Sequence, residues 1–479
     1  MVYQLTKADE GARGLGMSRV WRDGALIAIP AILVFALCLY APQVLGDGDS
    51  YWHVAAGGWM LDHHQVIRTD SFSYTFAGKP WDTHEWLSEV VMALAYRAAG
   101  WTGVLALTGA AAAAVMGLTA RRLTRLLEPT GVILALALVA GCLAPSLLAR
   151  PHFLALPFLV LWTGALLDAR AQNRTPSPWW LALMVLWANA HGSFIFGLLL
   201  IGPFALEALM AEPKAWRRVV GSWGAFGLGA LAACVLTPHG LDGLLFPLKL
   251  NGMGSLASIT EWNPPDFQHL PPVEIAILAG LFVLLSKGVK VPLARLGLLL
   301  VLLYMTLGHV RHETLLVLIG APLLAELAGK ARADEGKARV GYGALAAAVA
   351  ACALLIVLRL GSPPLLGDAT PTPVSALEHV PAELRAQPVL NSYDLGGFLI
   401  FEGVKPFIDG RTDMYGDAFN ARYDAIVRPE PGGFQAAARQ YGIRWTFLQP
   451  SSPLAKVLDA SPDWRRLYAD RYAVIHVRR

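Results

Sequence analysis

The chain is short of charge. Asp, Glu, Lys and Arg make up only 15% of its 479 residues, where an ordinary soluble domain carries about 25%. With 55% apolar residues and a mean hydropathy of +0.47, too little polar surface remains to cover the soluble domains that such a length would otherwise allow. Cysteine is equally scarce. The four present (Cys38, Cys142, Cys234, Cys352) all fall in apolar runs, so no disulfide framework organises the fold. A formal net charge of +4 lacks the electrostatic footprint of a nucleic-acid-binding protein. There is no Walker A loop, no Gly-x-Gly-x-x-Gly after a strand and no Gly-x-Ser-x-Gly elbow. His84-Glu85 is followed by Ser88 where a His-Glu-x-x-His zinc helix needs a second histidine.

What the chain has in abundance is long apolar runs. About eleven can serve as membrane spans, near 24–45, 101–120, 131–149, 153–168, 179–194, 195–210, 219–237, 273–287, 291–309, 313–328 and 342–358. Basic residues alternate across them. One set of loops holds nineteen (Lys7, Arg13, Arg19, Arg22; Arg121, Arg122, Arg125; Arg170, Arg174; Lys214, Arg217, Arg218; Lys287, Lys290, Arg295; Lys330, Arg332, Lys337, Arg339), and the opposite set holds five (Arg68, Lys79, Arg150, Lys249, Arg311). The positive-inside rule then puts the N-terminus in the cytoplasm and everything after about residue 361 outside. The first run is too long for a signal peptide and has no small-x-small cleavage site before Asp47, so it reads as a retained anchor. Residues 86–100 are helical in pattern but short, and they carry Glu89 and Arg97, which suits a helix lying on the outer membrane surface. The expected division is a membrane domain over 1–360, with its first outer loop at 46–100, and an outer α/β domain over 361–479. In that tail, strand-like runs at 388–391, 397–401, 405–409, 444–448 and 472–477 alternate with helical patterns near 374–386, 431–441 and 453–460.

Polar chemistry gathers on one side. Of twelve histidines, two (His379, His476) lie in the tail, and the other ten map to outer loops or outer span ends. Polar side chains at membrane depth cost a few kcal/mol each unless they face a polar cavity, so a one-sided collection points to a chamber opening outward. The first outer loop runs from Asp47-Gly-Asp49-Ser-Tyr-Trp-His53 to Trp81-Asp-Thr-His84-Glu85-Trp86. Two carboxylates at i, i+2 suit sharing a divalent ion (Mg or Mn), or one acting as a base while the other orients it. A helix cap is the plainer role. Arg150-Pro-His152, Asn189-Ala-His191, Pro238-His239-Gly, Glu261-Trp262 and His309-Val-Arg311-His312-Glu313 form further outer clusters. Arginine beside histidine is good chemistry for holding a phosphate. His63-His64 would point apart on a helix and read as surface residues. In the tail, Asp394-Leu-Gly-Gly and Asp409-Gly-Arg411-Thr-Asp413 are polar turns, the second suited either to an Asp–Arg bridge or to facing the chamber.

This layout resembles the GT-C class of membrane glycosyltransferases, whose relatives include oligosaccharyltransferases, protein mannosyltransferases and aminoarabinose transferases. The likeness rests on Asp47-x-Asp49 opening a long first outer loop with an interfacial helix, and on ten or more spans followed by an outer domain. More locally, DGDSYWHVAAGGWMLDHHQVIRTDSFSYTFAGKPWDTHEWLSEV and LNSYDLGGFLIFEGVKPFIDGRTDMYG look like the loop and tail of a poorly characterised bacterial group in that class. The tail lacks the Trp-Trp-Asp-Tyr-Gly signature of oligosaccharyltransferases, which weakens the case for an asparagine-sequon acceptor. The resemblance implies an inner-membrane enzyme that uses a polyprenyl-phosphate-linked sugar donor and inverts the sugar in a single displacement onto a glycan, lipid or protein acceptor. Asp49 is then the expected general base and Asp47 its support or metal partner. Arg150, His152, His191, Arg311 and His312 are expected at the donor phosphate. Glu261, Glu85, His84, His53 and His239 are expected around the acceptor or behind the reacting groups. The alternatives are a non-enzymatic scaffold or lipid-carrier transporter, and a polymerase or ligase of lipid-linked glycans.

Overall fold

A computed structural model of the chain describes residues 2–329, 342–428 and 432–479. The first part is helical throughout: α1 (Val2–Tyr40), α2 (Asp49–His63), α3 (Trp86–Leu123), α4 (Pro129–Leu143), α5 (Pro151–Ala171), α6 (Trp180–Ala190), α7 (Phe194–Ala211), α8 (Trp216–Val235), α9 (Gly240–Asn251), α10 (Pro272–Ser286), α11 (Leu293–Gly308), α12 (Glu313–Ala328) and α13 (Tyr342–Leu360). Every apolar run expected to span is helical. Seven stretches, including most of α1 and all of α3, α5 and α7, are long and apolar enough to cross a membrane, while α6, α10 and α11 are shorter apolar helices. This is a membrane protein: Phe282, Leu285 and Tyr304 are exposed on the bundle's outside, where only lipid suits them. Four of the basic residues assigned above to the cytoplasmic side (Lys330, Arg332, Lys337, Arg339) lie outside the described residues.

Two local devices shape the end of the bundle that carries the polar clusters. In α3, Ala99 and Gly100 leave helical geometry, Gly100 at φ 58°, a left-handed value that glycine accepts without strain. The break, at the end of the 86–100 segment expected to be interfacial, sets residues 86–98 apart from the span that follows. In α2, Gly57 lies against α3 so closely that a Cβ there would stand 1.9 Å from the Glu89 carbonyl oxygen. That contact fixes the crossing of the two helices.

The tail is a mixed α/β unit: α14 (Val374–Glu378), α15 (Ala382–Arg385), β1 (Val389–Asn391), α16 (Gly396–Phe401), α17 (Thr412–Val427), α18 (Gly433–Gln440), β2 (Trp445–Leu448), α19 (Pro453–Asp459), β3 (Trp464–Ala469) and β4 (Val474–Arg478). Its sheet has the order β1-β2-β4-β3, with β1 parallel to β2 and the other pairs antiparallel. The strand expected at 397–401 is α16, and 405–409 is loop. A short, continuously apolar run buried on every side carries no period that separates strand from helix. The strand β3 and the helix α17 lie where no element was expected. α17 is polar and passes through Gly416 at φ 72°, which breaks its helical pattern in sequence. The unit docks on the first loop through a small apolar core of Trp52, Ala56, Met60, Ile67, Trp81 and Ile400.

Candidate active site

The acidic pair sits where α2 begins. The chain passes from α1 to α2 through Gly46 and Gly48, and a Cβ on Gly48 would lie 2.3 Å from the Asp394 carbonyl oxygen of the tail. Asp47 acts partly as a cap: its Oδ1 accepts the Asp49 backbone N–H at 2.7 Å. Asp49 Oδ1 accepts the Trp52 indole N–H at 2.9 Å. Arg150 stands just before α5, held extended ahead of Pro151, and reaches both acids, with Nη1 3.2 Å from Asp47 Oδ2 and Nη2 2.9 Å from Asp49 Oδ2. The place a divalent ion would take between the two carboxylates is thus filled by a guanidinium, and the pair does not fit a resident metal. Arg150, expected at a phosphate, faces the acids.

Asp49 is largely withdrawn from solvent. Its side chain is 19% exposed, and the tail covers it: a Cβ at Gly410 would stand 1.7 Å from its Oδ1. Burial raises its pKa to about 7; the Arg150 charge opposes the rise and the Asp47 charge adds to it.

Glu85 and three histidines adjoin this pair. Glu85 Oε1 lies 3.1 Å from His191 Nε2 and 3.6 Å from His84 Nε2, and Oε2 lies 3.6 Å from His53 Nε2. His191 follows α6 in extended backbone, and its Nδ1 accepts the Ser193 N–H at 3.0 Å. The proton of neutral His191 therefore sits on Nε2, where it donates to Glu85. Burial opposes ionisation of Glu85, yet His84 and His191 hold its carboxyl well below the usual range. His84 stacks on Phe246, with ring centroids 3.7 Å apart.

Glu261 and Arg311 come from two short turns tied together, with the Val310 N–H donating to the Asn263 carbonyl at 2.9 Å and His309 Nδ1 2.6 Å from the Trp262 carbonyl. Arg311 lies over the Trp262 ring at 4.2 Å. Its guanidinium makes no hydrogen bond or ion pair among the described residues. Burial resists ionisation of Glu261, but Arg150 and then Arg311 pull its carboxyl below the usual range, which ties this pair of turns to the acidic centre. His152 lies near His191, ring centroids 6.3 Å apart, with its Nε2 on the Ser146 carbonyl at 3.1 Å. His312 spends Nδ1 on the Met305 carbonyl at 3.1 Å. His239 stands apart, 3.2 Å from Asp82 beneath the first loop. His63 and His64 are exposed.

Two residues not singled out for the site come from the tail. Gly410 covers Asp49, and Asp413, at the start of α17, is raised by burial while the His84 charge opposes the rise. The DGRTD turn holding them also makes the Asp–Arg bridge: Arg411 Nε and Nη2 each lie 2.7 Å from an Asp409 oxygen, and Nη1 lies 2.6 Å from Asp70 Oδ1. Both uses of that turn coexist.

No protein-family model matches the chain, and no curated protein matches it. Solved structures do. The archaeal oligosaccharyltransferase AglB from Archaeoglobus fulgidus, in complex with an inhibitory peptide and a dolichol-phosphate, superposes with a TM-score of 0.54 at 11% identity, over 90% of this chain and 69% of that one. The apo form of the Archaeoglobus fulgidus oligosaccharyltransferase gives 0.52 at 12% identity, over 88% and 69%. The form tethered to an acceptor peptide containing the NVT sequon gives 0.50 at 12%, over 89% and 69%. At such identities the likeness is one of architecture, and the chain has the fold of the GT-C membrane glycosyltransferases.

Proposed function

We propose that the protein is a membrane glycosyltransferase that moves a sugar from a polyprenyl-phosphate-linked donor to a glycan, lipid or protein acceptor. The observation that carries this reading is Asp49, a half-buried carboxylate in a GT-C fold, paired with Arg150 at 2.9 Å and titrating at about 7. A base works best when its pKa lies near the operating pH. Asp49 takes the proton of the acceptor hydroxyl while the acceptor oxygen attacks the anomeric carbon, and the lipid phosphate leaves from the opposite face, inverting that carbon. Asp47 and Arg150 hold Asp49 in place. Arg311, whose guanidinium has an aromatic face and the charges of Glu261 and Glu85 but no hydrogen-bonded partner among the described residues, is the group free to receive the leaving phosphate. His152, His191 and His312 lie toward it. Glu261 and His84 border the acceptor side.

The basic-residue bias supports a bacterial inner-membrane protein with a cytoplasmic N-terminus, its reaction chamber and tail on the periplasmic side. The test is Asp49→Asn in correctly inserted protein. Sugar transfer falls by a factor of about 10² to 10⁴, the usual contribution of a positioned base; transfer at the wild-type rate overturns the assignment.

A further inference from the structure

We infer that His53, Glu85 and Glu89 form a binding site for one divalent transition-metal ion of the Mn²⁺ to Zn²⁺ class, distinct from the Asp47–Asp49 pair. The site follows from the α2–α3 crossing. Because Gly57 brings the two backbones into contact, His53, one turn earlier on α2, is pressed against the start of α3. Glu85 and Glu89 stand four residues apart there and share one helix face. One ligand atom from each of the three side chains falls within 4.8 Å of the other two. His53 Nδ1 is 3.2 Å from Glu89 Oε1.

A second observation points to a missing cation. Glu89 is 1% exposed, and its Oε2 has no hydrogen-bond partner among the described residues. No Lys or Arg among the described residues forms an ion pair with either glutamate; their partners are imidazoles alone. A carboxylate buried as Glu89 is, with no Lys or Arg beside it, is costly, and an ion removes that cost. One imidazole with two carboxylates suits Mn²⁺ or Zn²⁺ rather than Ca²⁺ or Mg²⁺, which prefer oxygen alone. The arrangement also has the outer support that metal ligands need: His191, its Nδ1 fixed by Ser193, donates from Nε2 to Glu85.

The site has a line to the acidic centre. The Trp52 ring lies on the His53 ring, centroids 3.6 Å apart, while its indole N–H donates to Asp49. An ion on His53 therefore fixes the tryptophan that orients Asp49. This assignment does not depend on the transferase reading.

The test uses the full-length protein in detergent, stripped with EDTA, reloaded with Zn²⁺ or Mn²⁺ alone, dialysed, and measured for metal content and melting temperature. The wild type retains one ion per chain and melts higher when loaded. Glu89→Gln and His53→Gln lose about tenfold or more in metal affinity together with the melting shift, whereas Asp49→Asn keeps both. Should the variants fail to fold, Mn²⁺-loaded wild type read by pulsed EPR shows coupling to a single imidazole nitrogen. Failure of the wild type to hold either metal, loss of binding in Asp49→Asn with retention in Glu89→Gln, or an Mn²⁺ signal without nitrogen coupling each overturns the proposal.

Discussion

At Asp49, burial and charge pull in opposite directions, and the outcome sets a pH dependence. The raised carboxyl is protonated below about 7 and cannot then accept a proton. Turnover at saturating donor is therefore expected to fall roughly tenfold per pH unit below that point and to level off above it. A flat profile from pH 5 to 8, measured by sugar transfer in detergent, contradicts Asp49 as the base. Gly410 offers a second test on the same oxygen. With Arg411 buried and bridged to Asp409 and Asp70, the turn cannot retreat, so the methyl of Gly410→Ala must displace Asp49. Overpacking of this kind costs about 1–3 kcal/mol, and the variant is expected to melt lower and to lose activity more than tenfold. The sequence placed these polar residues on one side of the membrane but did not show how they pair. Arg150 stands 103 positions from Asp47, so its guanidinium read as a phosphate ligand and the acids as a metal seat. Glu89 read as one charge on a surface helix, because nothing in its own neighbourhood announces the histidine that faces it from α2.

Among the elements, the segment that presents Glu261 hangs from α17. Both Asp417 oxygens accept backbone N–H groups of that segment, from Ser255 at 2.8 Å and Gly254 at 3.0 Å. Asp417→Ala removes both acceptors and leaves Asp49, Arg150 and Arg311 untouched. The expected result is a severalfold rise in acceptor KM with little change in kcat, read from initial rates at varied acceptor. Equal losses in both would mean that the segment does more than position. The helices of the bundle were legible because apolar runs of span length have one stable form in lipid. In the tail, strands with alternating or β-branched sequence (Val389–Asn391, Trp445–Leu448, Val474–Arg478) were legible, whereas α16 was not, since its conformation answers to the close approach of Gly397 to the Gly48 carbonyl.

Across the whole molecule, the end of the bundle away from Asp49 carries a polar clamp. Arg122 donates to Asp168 and Glu326, and Arg295 donates to Glu207 and again to Glu326, tying α3, α5, α7, α11 and α12 together. Glu326 serves both guanidiniums. Glu326→Gln is expected to cost about 1–3 kcal/mol, seen as a drop of a few degrees in melting temperature in detergent with donor and acceptor KM unchanged. A shift in KM would mean that the clamp couples to the chamber. These arginines were read from sequence only as topological charges, because Arg122 and Glu326 are 204 positions apart.

The bridge from Arg411 to Asp70 crosses 341 positions of chain. A ribosome therefore releases the first loop long before it makes the turn that completes it. Until that turn has emerged and folded back, nothing from the tail covers Asp49, and the burial that raises its carboxyl is incomplete. A chain cut before Asp409 therefore lacks the turn that covers Asp49, and under the proposed reading it is expected to transfer no sugar when assayed in detergent.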